Sequence, residues 1–446
     1  MGAELGPHLL PERSGNDKDT STDGTFFIAN RSRHYGFPRH QNEGWYRVLS
    51  IAIVLAALTA VLGVHPFVTY PLSLLAMRKR TVPPMAKPAE NIDFSPSVAI
   101  CMSAFNEAKV IAAKMDSLLD MAASYPGRAT VHVYVDGPTD DTAGILADYA
   151  GRADILFGTD RRGKTWGMNQ LVLRTDSELV LFTDANVVSE TDALVQLTAP
   201  FADASIGLAS ARLRYNNPNE SATSRSGAIY WEIEEGIKRI ESETIGLAGV
   251  DGAMFMVRRS AHHAPPPHLI DDFYISLSVL ITGLRVISVE NVEVCERSAV
   301  LAGEEFMRKR RIACQSWNVH RALWPQLRRM PAARLYGYIS HRVLKWLAPY
   351  FLALFLIALG VIAATVFGPA RAGLAAAIGL ALFLLASALH MRPATMVTSV
   401  LYSLFGVAFG PIESLLFHKT YTVWLPANSV RETATDSQTT AQPDLQ

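Results

Sequence analysis

The sequence contains little cysteine, and its spacing fits neither a disulfide framework nor a metal site. Only Cys101, Cys295 and Cys314 occur among 446 residues. An odd and sparse set of this kind is typical of proteins kept in a reducing compartment. The sequence therefore offers no disulfide framework, and it argues against a cluster of zinc ligands.

Charge is also scarce. Charged residues make up 18% of the chain, below the soluble average of roughly 25%, and 49% is hydrophobic, so we expect part of the chain to leave water. Basic and acidic residues number 41 each, and this zero net charge argues against a polyanion-binding protein. No nucleic-acid partner is expected. The chain also lacks a Gly-x-x-x-x-Gly-Lys-Ser/Thr loop, which disfavours a P-loop nucleoside triphosphatase.

Long uncharged runs flank a polar middle. No Asp, Glu, Lys or Arg occurs at 48–77, a run longer than the roughly 20 apolar residues that cross a bilayer. It starts too far along the chain for a signal peptide, so we predict a transmembrane helix within 45–80 rather than a buried core helix. Further runs predict about three transmembrane or interfacial helices within 343–417. Pro411 and Glu413 predict a bend or an interfacial position for the last of these.

The flanks of these runs suggest an orientation. Arg78-Lys79-Arg80 follows the first run directly and marks its inner side by the positive-inside rule, although four arginines between 31 and 47 weaken that assignment. Segments 1–44 and 428–446 are polar and have no hydrophobic period, so they are predicted to be disordered.

Residues 95–330 alternate between strand-like and helix-like segments. Apolar strand patterns such as "TVHVYV" at 130–135 alternate with segments of helical period such as 164–174. This alternation predicts an α/β domain with a Rossmann-like, mostly parallel sheet and helices on both faces. Ligands bind such sheets beyond the carboxyl ends of the strands.

Polar residues follow four of the predicted strands, as "SAFNE" (103–107), "DGPTDDT" (136–142), "RRGK" (161–164) and "DAN" (184–186). A turn or a helix cap explains each one alone, but four at one sheet edge favour a ligand site. Lys164 and Arg161 offer positive charge to a diphosphate. Asp136 can accept hydrogen bonds from a base or a ribose, and Asp184 is a hard oxygen ligand for Mg²⁺ or Mn²⁺.

Six motifs occur in a characteristic order: "SAFNE", "VDGPTDDT", "RRGKTWGMN", "LFTDAN", "GVDGAMFMVRR" and "IDDF". In this order the chain resembles a membrane-bound family 2 glycosyltransferase with the GT-A fold, related to polysaccharide synthases, over about residues 95–315. The resemblance implies an inverting transfer from a nucleotide sugar, usually UDP-linked. It places Asn106, Glu107 and Asp136 around the nucleotide, with Lys164 nearby.

The resemblance also implies a divalent cation, Mg²⁺ or Mn²⁺. Asp184 takes the place of the first aspartate in the family's Asp-x-Asp metal motif, and Asn186 replaces the second. An asparagine carbonyl can ligate a metal but brings no charge, so metal affinity is expected to be lower or the second ligand to come from elsewhere.

An acidic pair begins a predicted helix in "HLIDDFYISLSVL" (268–280). By the resemblance, Asp272 is the catalytic base that removes the acceptor's proton, and Asp271 replaces the usual glutamate on the acceptor side. Capping of the helix is the alternative role for this pair. Asp251, in the Gly-rich segment before a strand, is expected to contact the acceptor.

Processive relatives carry Gln-x-x-Arg-Trp after the base. Here Arg311, in "RKRRI", is expected to hold the departing diphosphate. The Gln and Trp are absent, and Trp317 or Trp324, close downstream, could substitute for the Trp on the acceptor side. The basic run could instead face acidic lipid, and a helix over about 304–324 would suit an interfacial position.

These features predict a glycosyltransferase of a bacterial-type inner or plasma membrane, with a cytoplasmic catalytic domain over 95–330. The acceptor would be lipid-linked or saccharide, in exopolysaccharide or glycolipid synthesis, with membrane lipids and polysaccharide-assembly proteins as partners. Two alternatives stay open. One is a processive β-polysaccharide synthase that makes an N-acetylglucosamine or glucose polymer, and the other is an inactive scaffold.

Overall fold

The computed structural model describes residues 39–81, 94–423 and 428–430. By internal contacts the chain divides into residues 1–47 and 48–446, and of the first unit only the opening turns of a helix are described. Most of both segments predicted to be disordered lies outside the described residues. Two described parts of these segments are ordered. Residues 39–44 are helical, and Ser429 is buried and donates a hydrogen bond to Glu304.

The described residues contain eight strands and thirteen α-helices. The strands are β1 (Val98–Ala104), β2 (Ala129–Val135), β3 (Asp154–Phe157), β4 (Leu179–Thr183), β5 (Val188–Ser189), β6 (Ile206–Tyr215), β7 (Met254–Arg258) and β8 (Arg285–Glu296). The helices are α1 (Arg39–Val64), α2 (Thr69–Thr81), α3 (Ile111–Ser124), α4 (Thr142–Ala147), α5 (Lys164–Leu173), α6 (Ala193–Thr198), α7 (Ala222–Ser242), α8 (Asp271–Ile281), α9 (Ala302–Leu327), α10 (Ala332–Tyr338), α11 (Leu344–Phe367), α12 (Pro369–Ala388) and α13 (Arg392–Leu416).

The strands form one sheet in the order β3-β2-β1-β4-β7-β6-β8-β5. The half made of β3, β2, β1 and β4 is parallel, as predicted, and β6 also pairs with β8 in parallel. Strands β7 and β5 are antiparallel to their neighbours. The predicted α/β class is confirmed, with a mixed rather than uniformly parallel sheet.

Helices cover both faces of the sheet because successive side chains of a strand point to opposite sides. Ile100 and Met102 of β1 pack into a core that includes Met115 of α3. Cys101 points the other way, into a second core that includes Met168 of α5. Apolar burial on both faces is what a continuous hydrophobic strand such as β1 requires.

Among the described residues, four helical segments are long and apolar enough to cross a membrane: Glu43–Val64, Ala332–Phe367, Pro369–Ala388 and Arg392–Leu416. The segment predicted as one helix over 45–80 is divided into α1 and α2. Pro66 lies in the break, where a missing amide hydrogen interrupts helical bonding. His65 stabilises the break through hydrogen bonds to Thr69 (2.7 Å) and Ser340 (3.0 Å).

The predicted helix over 304–324 is present as α9, which packs along α13. A Cβ added to Gly410 would lie 2.3 Å from the Cβ of Ala313, so only glycine permits this approach. Arg310 of α9 donates two hydrogen bonds to Glu413 of α13, and the charge of Glu413 is thereby paired inside the protein. Helix α13 runs through Pro411 without ending.

Candidate active site

The carboxyl ends of the parallel strands open into a cleft of about 900 Å³. Ten of the thirteen residues that the sequence suggested for the site line this cleft: Glu107, Asp136, Arg161, Lys164, Asp184, Asn186, Asp251, Asp271, Asp272 and Arg311. Asn106, Trp317 and Trp324 are the three that do not. Residues from separate parts of the chain are therefore brought to one place by the order of the strands.

Asp136, at the end of β2, holds the loop that begins α5. Its carboxylate accepts hydrogen bonds from the backbone amides of Arg162 (2.7 Å) and Gly163 (3.0 Å). Gly163 has a φ of 92°, a conformation that favours glycine. Arg161, in the same loop, stacks on the Phe105 ring at 3.5 Å. Asp136 thus fixes the position from which Lys164 enters the cleft.

Asn106 connects the loops that follow β1 and β2. It has a φ of 54°, its side-chain oxygen accepts from the backbone amide of Thr139 (2.8 Å), and its amide donates to the Thr139 hydroxyl (3.0 Å). The neighbouring Glu107 is buried and lines the cleft. Asn106 therefore holds the two loops together without lining the cleft, whereas Glu107 lines it.

Lys164 and three aspartates meet at the centre of the cleft. The Lys164 ammonium lies 2.7 Å from Asp184 and 3.5 Å from Asp271. Burial opposes the charged form of Lys164, but Asp184, Asp271 and Asp272 outweigh it and raise the pKa of the ammonium group. Lys164 therefore keeps its positive charge inside the cleft.

Gly252 brings the backbone into this cluster. A Cβ added there would lie 3.0 Å from an Asp272 oxygen, 3.1 Å from the Lys164 nitrogen and 3.7 Å from an Asp184 oxygen. The missing side chain leaves room among the three charged groups. That room is where a reacting group can touch Asp272 and Lys164 together.

Asp272 lies beside Asp271 at the start of α8, and its carboxyl group has a raised pKa. Burial, followed by the negative charge of Asp271, raises the pKa of Asp272 to about 7, while Lys164 opposes the increase. The backbone amide of Phe273 donates a hydrogen bond of 2.5 Å to one of its oxygens. Asp271 and Asp272 occupy the first turn of α8, so the capping role and the base role are compatible.

Arg311 lines the cleft from α9. Burial and the neighbouring Arg308 lower its pKa to about 10, which leaves the guanidinium charged at neutral pH. The rest of the basic run is engaged inside the protein, since Arg308 donates to Tyr215 (3.1 Å) and Lys309 lies 3.5 Å from Glu305. The run therefore forms internal ion pairs.

Asn186 lines the same cleft as Asp184, the other predicted metal ligand. Its side-chain amide donates to Glu296 at the end of β8, at 3.4 Å. Burial raises the pKa of Glu296, which also lines the cleft and lies near Arg308 (4.0 Å). Glu296 is a carboxylate that the sequence interpretation missed, because no motif connects β8 with the segment around Asp184.

A buried lysine supports the segment that carries Asp184. Lys114 of α3 donates to the Val187 carbonyl (2.7 Å) and to the Thr183 hydroxyl (3.1 Å), on either side of Asp184. Burial lowers its pKa to about 7, and Asp184 opposes that shift. The only sequence signal for this role was a lysine on the apolar face of α3.

The loop containing Asp251 is held from outside the catalytic domain. Arg342 lies just before α11, within the candidate membrane segment Ala332–Phe367. It donates to the carbonyls of Ala248 (2.9 Å) and Gly249 (2.6 Å) and to Glu234 (3.1 Å). Asp251 itself accepts from Lys238 of α7 at 2.8 Å. The expected acceptor contact is thus also a structural anchor of its loop.

Trp317 packs behind the cleft. Its ring contacts His320 and Trp346, and of these Trp346 lines the cleft. The acceptor role of Trp317 stays a prediction, and Trp346 is the aromatic side chain of this cluster that reaches the cleft.

Residues 99–264 match the family model described as Glycosyl transferase family 2. No curated protein matches the sequence. Among solved structures, the chain is similar to a mannosyltransferase from Pyrobaculum calidifontis in complex with GDP-Man and Mn²⁺. The identity is 21% and the TM-score 0.63, over 83% of this chain and 100% of that chain.

Two further solved structures are similar at 16% identity. One is mannosyl-3-phosphoglycerate synthase from Rubrobacter xylanophilus, with a TM-score of 0.38 over 57% of this chain and 83% of that chain. The other is glucosyl-3-phosphoglycerate synthase from Mycobacterium tuberculosis in complex with Mn²⁺, UDP-Glc and phosphoglyceric acid, with a TM-score of 0.35 over 50% and 79%. The Pyrobaculum structure and the family match identify the GT-A fold expected from the sequence.

Proposed function

We propose that this glycosyltransferase works at a membrane on a nucleotide-sugar donor. Residues 99–264 match the Glycosyl transferase family 2 model, and the fold is GT-A. The acceptor is lipid-linked or saccharide, in glycolipid or exopolysaccharide synthesis. One observation carries this proposal: Lys164, Asp184 and Asp272 converge at Gly252 in a cleft whose far walls belong to candidate membrane helices.

The chemistry follows from the charges around Gly252. Asp272 takes the proton of the acceptor hydroxyl as its oxygen attacks the anomeric carbon of the donor. The new glycosidic bond forms as the bond from that carbon to the diphosphate oxygen breaks, which inverts the configuration. Lys164 and Arg311 stabilise the negative charge of the departing nucleoside diphosphate.

The residues around Asp184 fit a divalent cation that binds to the protein and to the donor diphosphate at the same time. Asp184 and Asn186 offer hard oxygen atoms, and Glu296 lies beside Asn186. Within the described ranges, no three His, Cys, Asp or Glu side chains are grouped to hold a metal ion. Mg²⁺ often binds through one or two protein carboxylates plus substrate phosphates, a ligand set that Asp184 and the donor could supply together. When bound, the cation supplies positive charge beside the diphosphate.

The catalytic domain is proposed to face the cytoplasm. Arg78, in the basic flank after the first apolar run, lies 2.9 Å from Glu243 at the end of α7. The basic flank and the catalytic domain are therefore on one side, which the positive-inside rule assigns to the cytoplasm. Nucleotide sugars are available there.

A donor screen tests the proposal. The full chain in nanodiscs that contain a membrane lipid extract, as the source of acceptors, is incubated with Mg²⁺ or Mn²⁺ and a panel of UDP- and GDP-linked sugars, and nucleoside diphosphate release is measured. GDP-linked sugars are included because the Pyrobaculum mannosyltransferase is in complex with GDP-Man. At least one donor should turn over, and Asp272→Asn should reduce that turnover by a factor of 100 or more, in line with general-base catalysis at roughly 10²–10⁴-fold.

The matched control is Asp148→Asn, which removes a carboxylate from an exposed position on the catalytic domain. It should keep the wild-type rate. Turnover of Asp272→Asn at the wild-type rate would contradict the base assignment, and no turnover of any donor would contradict the proposed function.

A further inference from the structure

The cleft has two chemically different parts. One part contains the charged groups around Gly252. The other, here called the membrane arm, is walled by residues at the end of α1, on α11 and on α13. The membrane arm is lined by Gly63, Phe67, Phe351, Phe355, Leu404 and Val407, among others. The two parts form one continuous space.

The membrane arm has no charged wall. The stretches that form it, 59–67, 348–355 and 400–407, contain no Asp, Glu, Lys or Arg. Thr59 is one of the few polar side chains there, and its hydroxyl already donates to the Leu55 carbonyl at 2.7 Å. A bound sugar chain needs hydrogen-bond partners for its hydroxyl groups, and leaving them unpaired is costly. A hydrocarbon chain needs none.

The walls also come from the part of the protein that is suited to a lipid environment. Helices α1, α11 and α13 each belong to a segment long and apolar enough to cross a membrane. The wall stretches on α11 and α13 are eight residues long, which corresponds to about 10 Å of helix. The arm is therefore long enough for a substantial part of an extended alkyl chain.

Between the two parts the wall becomes polar. Tyr230 lies there with the ammonium groups of Lys309 and Lys345 at 4.9 Å and 5.5 Å from its ring centre. Lys345 is paired with Glu234 at 2.5 Å. An amphiphile lying along the cleft would thus have its polar head among charged groups and its tail among apolar ones.

We propose that the membrane arm binds the hydrocarbon tail of a lipid acceptor, and that the acceptor's hydroxyl-bearing head reaches Asp272. This inference rests on the proposed function and deepens it, because it names the acceptor as a membrane lipid that carries a hydroxyl group.

Photolabelling of the full chain in phosphatidylcholine nanodiscs tests the arm directly. The probe is a long-chain fatty alcohol with a diazirine in its tail, and the labelled peptides are identified by mass spectrometry. Label should appear on the peptides that contain Phe351 and Leu404, and unlabelled hexadecanol should compete far better than butanol. Label that stays on the outer surface of α12, or competition independent of chain length, would overturn the proposal.

Two variants fill the arm from different helices. Gly63→Leu acts from α1, where an added Cβ lies 3.8 Å from that of Phe351, and Leu404→Trp acts from α13. Each should reduce arm labelling at least tenfold. Gly379→Leu on α12 is the control, since nothing lies within 4 Å of a Cβ added there. The melting temperature identifies a variant that fails to fold, and the other variant then decides. Full labelling in a folded arm variant contradicts the proposal.

Product analysis separates this inference from the proposed function. With membrane lipid extract and a labelled donor, the sugar should enter an organic-phase product in the wild type, and Gly63→Leu should reduce this transfer. A long aqueous polymer would overturn the lipid acceptor, while nucleotide release by the same protein would leave the proposed function intact. Absence of nucleotide release from every donor would instead refute the proposed function.

Discussion

The pH dependence of sugar transfer tests the electrostatics of the cleft. Asp272 must be ionised to accept a proton, and its pKa of about 7 is set by burial and by Asp271. A group with this pKa is about one-tenth ionised at pH 6 and about nine-tenths ionised at pH 8. The value of kcat/KM should therefore rise about tenfold between pH 5 and pH 6 and level off above about pH 8.

Substitution of Asp271, the carboxylate beside Asp272, should shift the midpoint of the pH dependence of kcat/KM in a direction that the structure predicts. Asp271→Asn removes the like charge beside Asp272 and leaves Lys164 to act on Asp272 more strongly. Both effects lower the pKa of Asp272, so the midpoint should shift to lower pH by roughly one unit. Asp148→Asn, on an exposed surface, should leave the midpoint unchanged.

The assay is the initial rate of nucleotide release by the full chain in nanodiscs, from about pH 5 to about pH 9, at low donor concentration. Protonation of Asp272 does not unfold the protein at low pH, because a carboxyl group whose pKa is raised in the folded state stabilises the fold when it is protonated. A loss of rate at low pH is therefore not explained by unfolding due to this group. The stabilising contribution is present below the ordinary pKa of Asp272 and is lost as the pH rises through about 7. A flat profile, or a midpoint that moves upward in Asp271→Asn, would refute the reasoning.

Three further substitutions test individual contacts. Gly252→Ala places a methyl group about 3 Å from Asp272 and Lys164 and should reduce kcat/KM at least tenfold with little change in melting temperature. Gly236→Ala, in open space within α7, is the control and should leave kcat/KM unchanged. Arg342→Met leaves two loop carbonyls without their donor, at a cost of about 1–3 kcal/mol, and should lower kcat more than it changes the donor KM. Arg334→Met removes comparable bonds to Leu280 and Gly283, and should lower stability without changing kcat. Lys114→Met should raise the donor KM, as measured by nucleotide release, because the segment around Asp184 loses its support; an unchanged donor KM would contradict that role.

The order of polar residues at strand ends was available from the sequence. A buried parallel strand must be apolar along its length, so a polar residue at its end marks the sheet edge, and the edges of neighbouring strands coincide. This is why Asp136, Lys164 and Asp184 could be assigned to one cleft from local patterns. The long uncharged runs were equally clear, because crossing a bilayer demands a length and a composition that few soluble segments have.

The division of the first apolar run into two helices, α1 and α2, could not be predicted from the sequence. His65 and Pro66 lie within an unbroken hydrophobic stretch, and composition alone cannot tell one long helix from two. The bonds from His65 to Thr69 and to Ser340 stabilise the break, and Ser340 lies 275 residues further along the chain. A contact at that separation leaves no local pattern.

The sequence by itself determined the fold class, the long apolar segments and the acids and lysine at the centre of the cleft, because each depends on hydrophobic period or on a local motif. Only the tertiary structure decided what holds that centre in place. Arg342 clamps the Asp251 loop, Lys114 supports the segment around Asp184, and Glu296 approaches Asn186. These are buried polar contacts between distant elements, which form only where burial makes an unpaired group costly, and burial is a property of the folded chain.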